Sequence, residues 1–198
     1  MSPRPINKSV KRIVAKDNQL ICRQTWTAPD ALDADLILDG QLVAAAGQTT
    51  IVFAAQPDFA RTLSLIAKTN ATDVKAGDVV ITGTDIDGNV ISDSLTFTDN
   101  LATAINSIKA FLTVTSVKWP AQDGSTATWD LGTLDALGLD NRIDEDSVLH
   151  SLVDDTVETT RPTVVAHATD KTQCTVDCDT ALDGAKDVTV YYAYPYPS

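Results

Sequence analysis

Residues 78–99, DVVITGTDIDGNVISDSLTFTD, constrain the fold of this chain more than any other stretch. Val79, Ile81 and Thr82 lead into Asp87-Gly88-Asn89. Beyond it, Ile91, Leu95 and Phe97 alternate with Val90, Ser92, Ser94, Thr96 and Thr98. An Asp-Gly pair between two such runs predicts a β-hairpin, with the positive φ that a type I′ turn requires.

The rest of the chain reads the same way. VKRIVAK and QLICRQTW form a pair around Lys16-Asp17-Asn18, where a tight turn is expected. DADLILDGQLV, TTIVFAA and ARTLSLIAK follow, the last after the breaker Gln56-Pro57-Asp58. Residues 101–110 suit a short helix or an irregular edge. AFLTVTSVKWP reads as a strand stopped by Pro120, which cannot donate to a ladder. TATWDLGTLDALGL supplies a short strand around Trp129, with Leu134, Leu137 and Leu139 forming an apolar turn after it. SVLHSLVDDTVE, PTVVAHATD, TQCTVDCD and DVTVYYAYPY complete the set, with Asp183-Gly184 as another turn. Roughly ten or more short strands, about 8–12 residues apart, are the signature of a sandwich or barrel. No stretch keeps a helical period long enough for a core helix, and no internal repeat or Gly/Ser linker divides the chain. The fold expected is all-β, a β-sandwich or jelly-roll-like domain over residues 18–198, preceded by an extended N-terminal arm over residues 1–17.

Charge separates these two parts. Arg4, Lys8, Lys11, Arg12 and Lys16 lie in the first sixteen residues without an acid. The arm therefore carries +5, leaving −17 on residues 17–198 of a chain whose net charge is −12. An acidic body does not neutralise phosphates, so no nucleic-acid partner is expected. A basic arm on such a body is an electrostatic latch for a neighbouring copy or another acidic protein. The N-terminus has no apolar run of the secretory type, and no apolar stretch is long enough to span a membrane. Cys22, Cys174 and Cys178 make an odd count. Four residues of strand separate two Cα atoms by about 13 Å, against the roughly 4.4–6.8 Å of a disulfide, so Cys174 and Cys178 pair only across a turn. Reduced thiols and synthesis in the cytoplasm are expected.

Little in the chain carries chemistry. His150 and His167 neighbour neither metal-ligand spacing nor a nucleophile motif. Ser64, Ser92, Ser94, Ser116 and Ser151 sit in no G-x-S-x-G elbow, and no phosphate-cradling glycine motif occurs. Asp85, Asp87 and Asn89 open like a calcium loop, but their glycine comes too early and no Glu closes the loop. Asp177, Asp179 and Asp183 are read as solvated loop acids, and Cys174 with Cys178 lacks two further ligands. No enzyme, metal or cofactor is expected.

Trp26, Trp119, Trp129, Phe53, Phe59, Phe97 and Phe111 are read as core or subunit interface. The end, YYAYPYPS, is read as an extended aromatic tail whose Tyr191, Tyr192, Tyr194 and Tyr196 lie across a neighbour.

Several of these elements together resemble a group of tailed-bacteriophage virion proteins. They are Gln56-Pro57-Asp58 before Arg61, the hairpin VVITGTDIDGNVISDSLTF, KAFLTVTSVKWP, LGTLDALGL, and Asp183-Gly184 before Val190, Tyr191 and Tyr192. The resemblance covers roughly residues 35–193. It departs at Gly138-Leu139-Asp140, where relatives tend to carry Gly-Leu-Pro. It implies a virion component made in the host cytoplasm, foremost a capsid decoration (cement) protein. Such a subunit is a homo-oligomer and binds the major capsid protein or other virion subunits. A tail-tube or head–tail connector subunit is the alternative within the particle, with residues 27–50 as a pairing loop. A ligand-binding or adhesin module, using Trp119, Trp129 or the terminal tyrosines, is the alternative outside it.

Overall fold

The computed structural model describes residues 19–195. The arm cations Arg4, Lys8, Lys11, Arg12 and Lys16, the turn expected at Lys16-Asp17-Asn18, and Tyr196 lie outside the described residues. The protein is all-β and sandwich-like, with no α-helix among the described residues. No helix there is long and apolar enough to cross a membrane.

In chain order the strands are β1 (Gln19–Trp26), β2 (Asp33–Leu42), β3 (Gln48–Thr50), β4 (Arg61–Thr69), β5 (Gly77–Thr84), β6 (Val90–Phe97) and β7 (Ile105–Asn106). They continue as β8 (Thr113–Trp119), β9 (Thr128–Gly138), β10 (Val148–Val153), β11 (Thr156–Val157), β12 (Thr163–Val165), β13 (Thr175–Asp177) and β14 (Val188–Pro195). Three antiparallel sheets result. The first runs β1-β14-β10-β11, the second β12-β13-β9-β4-β7 with β2 also on β9, and the third β3-β8-β5-β6.

Two apolar cores form between these sheets. In the first, Leu63, Leu65 and Leu131 of the second sheet meet Ile81, Leu95, Val117 and Trp119 of the third. Trp129 sits at its centre, edge-on to Phe97 at 5.0 Å and tilted against Trp119 at 5.2 Å. In the second, Trp26, Val148, Val188, Val190 and Tyr192 of the first sheet pack on Leu137, Cys174 and Val176. Complete burial of Trp119 and Trp129 removes both from any exposed ligand platform.

The hairpin over β5 and β6 forms as expected, but its turn differs. Only Gly88 has positive φ, 79°, and its N–H donates to the Asp85 carbonyl at 3.0 Å, while the Asp85 N–H donates to the Asn89 carbonyl at 3.0 Å. That is a three-residue loop with a glycine bulge rather than a type I′ turn. The Asp85 carboxylate accepts from the N–H groups of Asp87 and Asn89, both at 2.9 Å, so it serves the turn. The pair with two positive φ angles is Asp154-Asp155, at 52° and 59°, which joins β10 to β11.

β9 corrects a second expectation. It is an eleven-residue strand, not a short one ending in an apolar turn, and Leu134 and Leu137 lie within it. Gly132 has the look of a turn residue but serves close packing: a Cβ there would stand 1.9 Å from the Asp33 carbonyl oxygen of β2. The aromatic end corrects a third. Residues 188–195 form β14, paired on one side with β1 and on the other with β10. Strand alternation turns Tyr192 into the second core with Val188 and Val190, so it is not an interface group. Its hydroxyl donates to Gln24 Oε1 at 3.1 Å and accepts from the Asn141 amide nitrogens at 3.0 and 3.2 Å. Tyr191 and Tyr194 are half-buried, Tyr191 stacked on His150 at 4.8 Å and Tyr194 packed against the second core.

Gln56 acts as a substitute strand. β3 pairs with β8 only over Val117–Trp119. Beyond its end, Gln56 Oε1 accepts from the Val114 N–H at 2.6 Å, and Nε2 donates to the Val114 carbonyl at 3.1 Å.

The glycines supply a test. At Gly88 a Cβ meets nothing within 4 Å, so Gly88→Ala carries only left-handed strain, about 1 kcal/mol. Gly132→Ala forces β2 away from β9 and is expected to lower the urea midpoint several times further, or to abolish folding. Equal midpoints for the two variants would contradict the close strand approach.

Candidate functional site

Strand β9 has one edge against β4, and its other edge is shared between β2 and β13. On β4, Leu63 stands opposite Thr133 and Arg61 opposite Leu137, so two residues of β4 span four of β9. On the other edge, β2 reaches Thr133 and β13 begins at Leu137. Leu134, Asp135 and Ala136 therefore stand in no register pair on either side. Bulges of this kind bend a strand and re-aim its side chains.

A groove of about 510 Å³ opens at this point. Thr62 of β4, Leu134, Asp135 and Ala136 of β9, and Thr175 and Asp177 of β13 line it. Asn106, Ser107 and Gln173 add polar groups, and Leu32, Ile108 and Val165 complete the wall. Those last three are 54%, 59% and 50% exposed, so three of the nine large exposed apolar side chains among the described residues converge on one groove. Thr62 is only 7% exposed, yet its hydroxyl has no hydrogen-bond partner, and neither does Asp135 Oδ1. Buried polar atoms are normally paired, because an unpaired one costs about 1–3 kcal/mol.

Arg61 lies fully buried beside this groove. Its Nη1 is 3.2 Å from Asp58 Oδ1, and Nη2 donates to the Asp30 carbonyl at 2.9 Å. Burial lowers its pKa, against the opposing charges of Asp58, Asp135 and Asp30. The other Asp58 oxygen accepts from the Asp30 N–H at 2.7 Å. The Gln56-Pro57-Asp58 breaker with Arg61 is thus a structural joint holding the start of β4. Burial, followed by Asp135 and Glu158, raises the pKa of Asp177.

The remaining candidates have local roles. His167 Nδ1 accepts from the Asp170 N–H at 2.9 Å and closes a loop. All three cysteines are free thiols. Burial and Glu158 push the Cys178 thiol up to about 12, the reverse of what a nucleophile needs. Asp183 accepts from the N–H groups of Ala185 and Lys186, both at 3.0 Å, as expected of a turn. Asp35, Asp39 and Asp130 converge in a way the sequence did not reveal. The Lys68 ammonium stands among them, 2.9 Å from Asp39 and 3.2 Å from Asp130, and supplies their counter-charge.

No family model matches the chain, and neither the curated proteins nor the solved structures contain a match to it.

Arg61→Ala would leave the half-buried Asp58 and Asp135 without their fully buried cation. Removing one partner of such a cluster costs about 3–5 kcal/mol, and urea unfolding should show a loss of that size. A loss below about 1 kcal/mol would show that the carboxylates do not depend on it. Asp177 generates a pH test. Its raised pKa means that the ionised form is disfavoured in the fold; this cost is full above the folded-state pKa and vanishes below the unfolded value, about 3.9. Asp177→Asn should therefore raise the urea midpoint at pH 7 and give no gain near about pH 3. A pH-independent difference would contradict this origin.

Proposed function

We propose that this protein is a non-enzymatic structural subunit of a tailed-bacteriophage particle, working as a capsid decoration protein that binds the head exterior and stabilises the shell. The observation that carries the reading is the apolar surface left after both cores are closed. Leu32, Ile108 and Val165 rim the groove, while Ile51 and Val52 beyond β3 are 70% and 78% exposed. Clustered apolar surface beside polar groups is the material of protein–protein contact. The sequence resemblance over residues 35–193 directs that contact towards the particle, with the major capsid protein or other virion subunits as partners. A shell presents each subunit with many identical contacts, so modest interfaces of about 1,600 Å² accumulate into large stabilisation.

The alternatives draw less from the molecule. A tail-tube or connector subunit was expected to offer residues 27–50 for pairing with the next copy, and β2 within that segment is already paired to β9. A ligand-binding module loses its tryptophan platform to the core.

Immunogold labelling of purified particles tests the proposal. Gold over the head is the expected result. Gold confined to tail or neck, or no label on intact particles, would overturn it.

A further inference from the structure

We infer that the groove at Leu134–Ala136 receives the basic N-terminal segment, residues 1–18, of a neighbouring copy of this chain. The choice of a neighbouring copy rests on the reading of the protein as a repeated structural subunit. The groove itself stands on its own observations.

Two polar atoms of its lining residues, buried just beneath the surface, lack hydrogen-bond partners. Thr62 is more than nine-tenths buried with an unpaired hydroxyl, and Asp135 Oδ1 is likewise buried without a hydrogen-bond partner. Its charge is one-sided: Asp135 and Asp177 line it, and no lysine or arginine does. Buried Arg61 is shared among Asp58, Asp135 and Asp30, so one guanidinium does not neutralise the lining carboxylates as well. Its rim is apolar, through Leu32, Ile108 and Val165.

The N-terminal segment has the matching chemistry. It carries five cations and no acid before Asp17, interleaved with Ile6, Val10, Ile13 and Val14. Lysine and arginine donors answer the carboxylates, and the aliphatic side chains answer the rim. Eighteen residues reach up to about 60 Å from Gln19, where β1 begins, enough to reach an adjacent subunit. Each copy then offers one arm and one groove, a head-to-tail contact that closes into a ring or continues along a lattice.

A charge exchange in the full-length chain tests this. The groove variant I108K/V165K places cations at two exposed rim positions, and the arm variant K8E/K11E/R12E inverts the segment; circular dichroism checks that both fold. Sedimentation equilibrium of the wild-type chain should show self-association that weakens at high salt. Each variant alone should associate at least about tenfold more weakly, a difference of about 1.4 kcal/mol. An equimolar mixture should recover association, because the unaltered arm of the groove variant meets the unaltered groove of the arm variant, and the acidic arm meets the added lysines. That recovery is possible only between copies. Variants that associate like wild type, a wild-type chain monomeric throughout, or a mixture without recovery would each overturn the inference. None of these results bears on where particles carry the gold label, so the two proposals fail separately.

Discussion

Everything in this molecule depends on one strand serving two cores. β9 places Trp129 and Leu131 in the first core and Leu137 in the second, and it is the common partner of β2, β4 and β13. Along one edge β9 exchanges β2 for β13, and along the other β4 bulges, so its partners do not keep one continuous register. The mismatch is absorbed at Leu134–Ala136, where pairing is lost on both edges. The groove is thus a by-product of joining the cores, and its polar floor results from the same interruption. Arg61 secures the adjoining corner: its backbone bridges to Phe111 while its guanidinium holds Asp58 and the Asp30 carbonyl. A buried cation there ties the start of β4 to the segment entering β2.

Local signals made the all-β class legible, because turns and alternation depend on near neighbours. Asp-Gly between alternating runs marked β5 and β6, Pro120 marked the end of β8, and Asp183-Gly184 marked a turn. The full length of β9 was not legible, since Leu134, Leu137 and Leu139 were read as an apolar turn. Gly132 has the composition of a turn, yet its reason is the Asp33 carbonyl oxygen nearly a hundred residues earlier, which no local pattern encodes. The tyrosines misled similarly. Prolines at 195 and 197 point to an extended tail, whereas the alternation of Val188, Val190 and Tyr192 was the signal for a buried strand face.

The groove was not legible. Its lining comes from β4, β7, β9, β12, β13 and the segment before β2, so it exists only once the non-local register is set. The one pointer available was Gln56-Pro57-Asp58 with Arg61, visible as a pattern but not as a buried ion pair. Charge asymmetry could be counted from the residues, but the surface that answers it needed the fold.

Gln56 has a consequence for the edge of β8 that β3 leaves uncovered. A β-strand whose outer edge is bare templates the addition of a strand from another molecule, and crowding makes that exchange faster. At Val114 the Gln56 side chain supplies both the acceptor and the donor that an incoming strand would offer. An amide on a short stem cannot propagate a ladder, so sheet growth stops there. A second molecule meeting this edge at Val114 must then do so through side chains rather than by adding a strand.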